Sequence, residues 1–337
     1  MACTIYDIAK ECNCSTTTVS KVLNNVGKIS SEKRKEILET ANALGYVRSQ
    51  SAVSLASSNK SSHLIGVVLH IREDRSITHE LFSEIINYLR IEVEKEGYDI
   101  CFLRNLTNKD KLTYSQLVQS RGIDGIVILS LSTDTKKFLE LMDVKTPKVA
   151  FDLFNTDYFV TSMNKEGVAD MVDYLVSMGH TRICYVRPGS GGVAKKRLEG
   201  FIEGLSRNNI PYDPRMIIDA PYYSKGSAKE ATDKALNSGI NPTAIMYPDD
   251  YTAISAIPYL RKLGLKVPND ISITGFDGVE VSKVMRPSIV TVRQDTKEIG
   301  KSCAKLLLAQ LSNREAENKR IIVPTKLLKG ESVKKIN

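Results

Sequence analysis

The stretch TIYDIAKECNCSTTTVSKVLNN, residues 4–25, decides the fold of the N-terminal part of the chain. Thr4 and Asp7 stand three residues apart, which is the spacing of a capping box, so a first helix is predicted to begin here. Asn13 and Cys14 break the helical pattern, so this first helix is short. The apolar residues before the break recur at helical spacing and form one face: Ile5, Ile8, Ala9 and Cys12.

A second and a third helix follow within the first 50 residues. Ser15 is predicted to cap TTTVSKVLNN, and Ser31 is predicted to cap EKRKEILETANAL. The second helix ends at two asparagines and Gly27, and the third ends at Gly45. Two short helices, a tight turn and a third helix predict a helix-turn-helix DNA-binding unit. The residues predicted to face its core are Val19, Val22, Leu23, Ile37, Ala41 and Leu44.

The second helix opens with three threonines, although threonine is a mediocre helix former. Thr16, Thr17, Ser20 and Lys21 are spaced so that they share the face opposite the apolar one. A hydroxyl at a helix N-terminus can reach a phosphate or a base edge, and a threonine methyl can contact a thymine methyl. The first turn of the second helix is therefore predicted to be a surface that recognises DNA. The alternative is ordinary capping by Ser15 with tolerated threonines.

The charge of the chain is unevenly distributed. The 337 residues carry a formal net charge of +8, of which +3 lies in residues 1–62 and +5 in residues 319–337, so the rest is neutral. A basic head before a neutral body fits a polyanion-binding unit joined to a ligand domain, although a solvated surface would look similar. No apolar run approaches the ~20 residues of a membrane span and no secretory signal is visible, so we expect a cytoplasmic protein.

The motifs of enzymes and metal sites are incomplete. Cys12 and Cys14 lack CxxC spacing and have no histidine between or beside them, so we expect no metal. The glycine-rich turn RPGSGGVAKKR, residues 187–197, departs from the nucleotide-binding motifs at Ala194 and is interpreted as a cleft wall. No GxSxG elbow is present. We therefore expect neither an enzyme nor a cofactor, and a periplasmic sugar-binding protein would need a signal peptide and would lack the head.

From residue 63 onward, short apolar runs alternate with amphipathic helical segments. LIGVVLH, YDICFL, DGIVILS and KVAFD form a first series, and RICYVR, MIID, TAIMYP and ISITGF form a second. Such alternation predicts parallel sheets covered on both faces, and two series predict two doubly wound α/β lobes. The late runs SIVTVRQ and RIIVPTKLL are expected to cross back between the lobes.

Ligands of such sheets bind beyond the carboxyl ends of the strands, so polar residues that directly follow the apolar runs are site candidates. Tyr222 or Tyr223 could stack on a ring. One member of the candidate set, Asp250, is expected to cap the helix after it instead. The polar candidates are His70, Arg72, Asp152, Asp249, Asp250, Asp277 and Gln294.

The motif of residues 4–25 closely resembles the head of the lactose/purine/galactose repressor (LacI/GalR) family of bacterial transcription factors. LGYVRSQSAVSLAS resembles the hinge helix of that family and HLIGVVL its first core strand, and the likeness extends over essentially the whole chain. The resemblance implies a helix-turn-helix head, a hinge and a two-lobed periplasmic-binding-protein-like core. The expected bounds are 1–48 for the head, 49–62 for the hinge, 63–337 for the core, 63–161 with 291–320 for its N-lobe, and 162–290 with 321–337 for its C-lobe.

The resemblance also implies which residues contact DNA. The second helix would enter the major groove with Thr16, Thr17 and Lys21 as base readers. Leu55 would be the minor-groove wedge of a hinge helix that folds on the operator, with Ser51 and Ala52 beside it. Plausible contacts to the DNA backbone are Thr4, Tyr6, Ser15, Ser20, Asn24 and Arg34.

Two departures from the family affect the hinge. Arg48 replaces the usual proline and leaves the entrance to the hinge less rigid, and Val53 replaces the usual arginine, which removes a polar contact near the wedge. The alternative interpretation of SQSAVSLASSNKSS is a serine-rich flexible linker, and this is also its expected state without DNA.

The effector site implied by the resemblance lies between the lobes. Arg197 lies in KKRLEGF, which matches a family segment whose arginine reaches the effector. Asp249 and Asp250 replace the usual Asn-Asp, and the second carboxylate disfavours acidic effectors, which favours a neutral sugar. The implied set is His70, Asp152, Arg197, Asp249, Asp277 and Gln294. Tyr223, as a residue that could stack on a ring, completes the seven predicted effector residues.

These observations predict a homodimeric, DNA-binding transcriptional regulator whose expected action is repression. Two heads would read a pseudo-palindromic operator in double-stranded DNA, and the protein would be nucleoid-associated when bound. A small-molecule effector would control it. The alternative is a catabolite-control-type regulator governed by a partner protein.

Overall fold

The computed structural model describes residues 3–46, 61–69, 78–130, 136–220, 226–314 and 316–336. The chain divides into two compact units, Met1–His63 and Leu64–Asn337. No helix in the described ranges is both long enough and apolar enough to cross a bilayer. Several predicted positions lie outside the described residues: Arg48, Ser51, Ala52, Val53, Leu55, His70, Arg72, Tyr222 and Tyr223.

The first unit contains the three predicted helices, α1 (Ile5–Glu11), α2 (Thr16–Leu23) and α3 (Ser31–Ala43). The capping box of α1 is confirmed, since the amide of Thr4 donates to Asp7 Oδ2 at 2.8 Å and the amide of Asp7 donates to Thr4 Oγ1. Residues from all three helices pack into one small core. Its buried members are Ile8, Ala9, Cys12, Val19, Val22, Ile37 and Ala41.

Two expectations about α3 were wrong. Ser30, not Ser31, is the N-cap, because Ser30 has the extended backbone of a capping residue and its Oγ accepts from the amide of Lys33 at 3.3 Å. Leu44 is 41% exposed, since α3 ends at Ala43 and Leu44 lies beyond the last turn of the apolar face. Gly45 stops the helix as predicted, with a φ of 63° that glycine adopts without strain.

The second unit alternates strands and helices. Its described strands are β1 (Leu64–Leu69), β2 (Asp99–Leu103), β3 (Gly125–Ser130), β4 (Lys148–Phe151), β5 (Phe159–Ser162), β6 (Ile183–Arg187), β7 (Ile217–Asp219), β8 (Ala244–Met246), β9 (Ser272–Asp277), β10 (Val290–Gln294), β11 (Arg320–Val323) and β12 (Thr325–Leu328). Its described helices are α4 (Glu80–Lys95), α5 (Tyr114–Arg121), α6 (Lys136–Asp143), α7 (Asn164–Ser177), α8 (Gly192–Arg207), α9 (Ser227–Leu236), α10 (Asp250–Lys262), α11 (Glu280–Val284) and α12 (Thr296–Leu311).

Two six-stranded sheets form two lobes, which confirms the predicted doubly wound α/β class. The first sheet has the order β11-β5-β4-β3-β1-β2 and is parallel throughout. The second has the order β12-β10-β9-β8-β6-β7, and within it only β12 runs antiparallel to its neighbour. Apolar helix faces cover the first sheet on both sides, α4 and α12 on one and α5 and α6 on the other.

The chain passes from one lobe to the other at three crossovers in the described part. They follow β5, β10 and β11, at Met163, Asp295 and Pro324. The late runs therefore cross back as predicted, but with shifted bounds. The N-lobe segment expected at 291–320 begins only after β10, which belongs to the second sheet, and it extends through β11, which belongs to the first.

The C-terminal stretch after β12 forms a strap on the second lobe. Ser332 is fully buried, and its backbone carbonyl accepts from the amide of Ile273 at 2.9 Å. The amide of Ile336 donates to the carbonyl of Met178 at 2.8 Å. The sequence pattern predicted no role for this basic tail. In the structure, its backbone hydrogen bonds hold it against the second lobe.

Candidate functional site

The outer face of α2 presents the predicted DNA-reading residues. Thr17 and Lys21 are exposed and lie one turn apart, while Thr16 and Ser20 are half-buried. The Ser15 hydroxyl accepts from the amide of Thr18 at 3.1 Å and so acts as the predicted cap. The apolar residues Val19 and Val22 of α2 are buried in the core of the head. The exposed side chains of Thr17 and Lys21 are available to a groove of DNA.

The other head candidates differ in how far internal bonds already hold them. Tyr6 is 76% exposed. The Thr4 hydroxyl donates to Asp7 Oδ2 at 2.7 Å, so it is engaged in the cap of α1. Asn24 donates to Ser20 Oγ at 3.2 Å, and Arg34 donates to Asn25 Oδ1 at 2.5 Å. These bonds orient polar side chains next to α2.

A second cluster lies in the core, where the strand ends of the two sheets meet. Gln294 and Asp277 end β10 and β9, Asp152 follows β4, and Asp249 precedes α10. Arg197 projects from α8 and is 4% exposed. The structure thus brings together five of the seven predicted effector residues, and the other two, His70 and Tyr223, lie outside the described part.

Arg197 lies at the centre of this cluster and contacts residues of several elements. Its Nε donates to Asn164 Oδ1 at 2.8 Å and its Nη1 donates to the carbonyl of Pro248 at 2.9 Å. Its Cζ lies 3.6 Å from the centroid of the Phe276 ring, a cation–π contact. The guanidinium is therefore fixed in position, and it stabilises the charged forms of the surrounding carboxylates.

Asp277 is the carboxylate with the most unusual environment. Burial raises its pKa to about 7, with Arg197 opposing the change and Asp249 adding to it. Gln294 Nε2 donates to Oδ1 at 2.8 Å, whereas Oδ2 has no hydrogen-bond partner in the described ranges. The φ of Asp277 is 105°, a strained value for a residue with a side chain, and such strain is characteristic of functional sites.

The prediction that Asp250 caps the helix after it was wrong, because the neighbouring Asp249 is the cap. Asp249 caps α10, since it has the extended backbone and its Oδ1 accepts from the amide of Thr252 at 2.8 Å. Asp250, expected to be the cap, is the first helical residue. Its Oδ2 accepts from the amides of Gly278 and Val279 at 2.8 and 2.9 Å, so it fixes the loop behind β9. Burial raises the pKa of both carboxyls.

The cluster also contains residues at the end of β5, a strand that the sequence pattern did not predict. The Thr161 hydroxyl donates to Asp152 Oδ1 at 2.6 Å, and the Asn164 amide donates to the same oxygen at 3.3 Å. Ser162 donates to Gln294 Oε1 at 2.5 Å. The run FVTS has the β-branched composition of a strand, and this was the available signal.

A small polar pocket opens between the lobes beside this cluster, with a cavity volume of about 30 Å³. Glu80 of α4 contacts the opposite lobe across it, since its Oε1 accepts from the amide of Glu280. Within the first lobe, Thr296 Oγ1 donates to Glu84 Oε2 at 2.7 Å. The pocket wall carries the acceptors of Asp277 and Gln294 together with the cationic side chains of Lys283 and Arg293. Such a wall suits a ligand that carries hydroxyl groups.

Both parts of the chain match families of known proteins. Residues 4–49 match the bacterial regulatory proteins of the lacI family, and residues 172–333 match the periplasmic binding protein-like domain. The chain is 31% identical to the HTH-type transcriptional regulator MalR of Clostridium butyricum, covering 97% of this chain and 98% of that protein. It is 30% identical to the probable HTH-type transcriptional repressor ExuR of Bacillus subtilis, covering 99% of each.

A solved structure supports the same assignment. The crystal structure of the lac repressor dimer bound to operator and the anti-inducer ONPF superposes with a TM-score of 0.79, at 25% identity, over 99% of this chain and 100% of that one. Head, core and full-length similarity agree. The chain belongs to the lacI family of bacterial regulatory proteins and is a transcriptional regulator.

Proposed function

We propose that the protein is a homodimeric repressor that binds a pseudo-palindromic operator and is controlled by a neutral sugar held between its lobes. The observation that carries the proposal is the buried cluster in which Asp152, Arg197, Asp277 and Gln294 converge at the carboxyl ends of strands. The protein acts as a regulator in the cytoplasm, at the nucleoid when bound to DNA, and carries out no catalytic step.

Charge argues for a neutral effector. Three carboxyl groups, of Asp152, Asp249 and Asp277, surround a single guanidinium, that of Arg197. Two of the donors of that guanidinium are already bonded to protein acceptors. An anionic ligand would meet repulsion that the arginine only partly offsets, whereas a sugar hydroxyl can donate to the carboxylates. His70 and Tyr223 complete the proposed site.

On the DNA side, Thr16, Thr17 and Lys21 read bases in the major groove of each half-site. The exposure of Thr17 and Lys21 on α2, with the half-buried Thr16 beside them, supports this role. The relative solved with operator is a dimer, which supports two heads acting together. The proposed backbone and hinge contacts are Thr4, Tyr6, Ser15, Ser20, Asn24, Arg34, Ser51, Ala52 and Leu55.

Thermal unfolding of the full chain against neutral saccharides, sugar phosphates, sugar acids and purines tests the effector class. A ligand at about 100 times its Kd stabilises the protein by ~2.7 kcal/mol, which is easily measured. We expect a shift with a neutral saccharide. Arg197→Ala should lose that shift, while Lys21→Ala, a change in the head, should keep it.

Other outcomes would contradict parts of the proposal. A shift only with an anionic compound would overturn the charge argument. No shift with any small molecule, together with operator binding that responds to a protein from the same cell extract, would favour the partner-governed alternative. The chain is 28% identical to the catabolite control protein A of Priestia megaterium, so this alternative is included in the test.

A further inference from the structure

The three crossovers between the lobes are joined by hydrogen bonds. The amide of Met163, in the first crossover, donates to the carbonyl of Val323 at 2.8 Å, beside the third. Ser162 donates to Gln294 Oε1 at 2.5 Å and so joins the first crossover to the second. Ser162 belongs to the first sheet and Gln294 to the second, and both side chains are buried. This bond therefore joins the two lobes at their crossovers.

The same bond continues into the ligand cleft. Gln294 has one amide oxygen and one amide nitrogen, and Ser162 occupies the oxygen with a donated hydrogen. The nitrogen therefore faces Asp277 and donates to Oδ1 at 2.8 Å. Each bond in such a chain polarises the next one. Ser162 thus acts on a carboxylate that it does not touch.

Asp277 is the end of this chain that a ligand can reach. Its Oδ2 is buried, lacks a hydrogen-bond partner in the described ranges and belongs to a residue that lines the pocket between the lobes. A ligand hydroxyl that donates to Oδ2 would complete the series from ligand to Asp277, Gln294 and Ser162. The series connects the cleft with the crossovers over three side chains.

We propose that Ser162 is a positioning residue that orients Gln294 and thereby couples the cleft carboxylate of Asp277 to the junction of the two lobes. The coupling to an effector rests on the function proposed above, whereas the orientation of Gln294 and Asp277 does not. Without the Ser162 hydroxyl, the buried Oε1 of Gln294 loses its donor and the amide is free to rotate. Asp277 then loses its fixed donor as well.

A matched control exists in the same unit. Ser332 is also a buried serine, and its hydroxyl also joins two segments, since it accepts from the amide of Val290 at 2.9 Å and donates to the carbonyl of Ile273 at 2.7 Å. It has no bond to Gln294 or Asp277 among the contacts described. Ser332→Ala should therefore resemble Ser162→Ala in lost stability and differ from it in the cleft.

The experiment measures the titration of Asp277 without any ligand. Urea unfolding from pH 5 to pH 9 is recorded for the full chain, Ser162→Ala and Ser332→Ala, each with and without Asp277→Asn. The difference within each pair isolates Asp277 from the other charged groups that face it, which are Arg197, Asp152, Asp249 and Asp250. This difference does not depend on the effector.

Loss of the oriented donor should raise the midpoint of that difference by about one pH unit in Ser162→Ala, the size expected for one hydrogen bond to a charged group. Ser332→Ala should leave the midpoint unchanged, and Ser162→Thr, which keeps the hydroxyl, should restore it. An unchanged midpoint in Ser162→Ala, or an equal shift in Ser332→Ala, would overturn the proposal. Because no effector is used, such a failure would leave the proposed function standing.

Discussion

The head and the cleft hold their functional candidates in opposite ways. Thr17 and Lys21 lie exposed on α2, outside the core of the head. Arg197 and Asp277 are each 4% exposed, and Arg197 Nε and Asp277 Oδ1 are bonded to neighbours within the core. A surface residue can be changed at little cost in stability, whereas a buried charge cannot. Function and stability are therefore separable in the head and linked in the cleft.

The largest effect should come from Arg197→Ala. The change leaves the carboxylates of Asp152 and Asp249 without their nearby cation, so we expect a loss of about 3–5 kcal/mol in the free energy of unfolding together with loss of effector binding. Urea unfolding measures the first effect, and operator binding by fluorescence anisotropy with and without the effector measures the second. Lys196→Ala is the control, because its ion pair with Glu199 is exposed and should contribute little. Equal stability of the two variants would show that the buried Arg197 contributes no more to stability than an exposed lysine.

Asp277→Asn should have the next largest effect, and it should depend on pH. The folded pKa of about 7 lies above the ordinary value of 3.8, so the folded state binds a proton that the unfolded state has lost. The stability contributed by this proton is present below pH 3.8 and is lost as the pH rises through 7. The variant should therefore be more stable than the parent at pH 8, by on the order of 3–4 kcal/mol, and equally stable near pH 4.

The functional readout of Asp277→Asn is effector binding, which should weaken at pH 8 although the protein is more stable. Calorimetric titration with the saccharide identified in the unfolding screen measures this. A variant that is less stable at pH 8 would mean that the charged carboxylate is well solvated in the folded state, and the linkage between function and stability would fail at this residue.

Lys21→Ala should affect DNA recognition alone. We expect it to change base preference in the half-site by about 1–3 kcal/mol without a change in the unfolding temperature. Binding to a set of single-base operator variants at fixed salt measures the preference. Lys28→Ala, an exposed lysine outside α2, is the control. Uniform weakening over all operator variants would assign Lys21 to phosphate contact instead of base reading.

The smallest effect should come from Thr4→Ala. The Thr4 hydroxyl caps α1, so its loss should destabilise the helix by about 1 kcal/mol and speed amide exchange in its first turn. Thr4→Ser keeps the hydroxyl and should behave as the parent in hydrogen exchange. If Thr4→Ala left exchange unchanged but weakened operator binding, the residue would act on DNA and not through the cap.

Much of the head could be predicted from the sequence because its signals are local. The box formed by Thr4 and Asp7, the cap at Ser15 and the stop at Gly45 each involve neighbours within a few residues. The one-residue error at Ser31 shows the limit of this argument, since two adjacent serines offer the same hydroxyl and the backbone decides between them. The alternation of strands and helices in the second unit was also predictable from the periodicity of its apolar residues.

The cleft was predictable only in part. The rule that ligands bind beyond the carboxyl ends of strands selected Asp152, Asp277 and Gln294, and the structure brings these together. The sequence could not show which of Asp249 and Asp250 caps α10, because this depends on which residue has an extended backbone before the helix. The strand β5 was not predicted because a strand of only four residues gives a weak periodic pattern.

The sequence by itself determined the order of the elements, the class of the fold and the polar residues available to each site, since these follow from composition, periodicity and local caps. Tertiary structure decided which of those residues meet. The bond from Ser162 to Gln294 joins positions 132 residues apart. It exists because two separate sheets place their strand ends side by side at the crossovers, and burial there sets the pKa of Asp277. Neither the contact nor the burial is present in any short stretch of the chain.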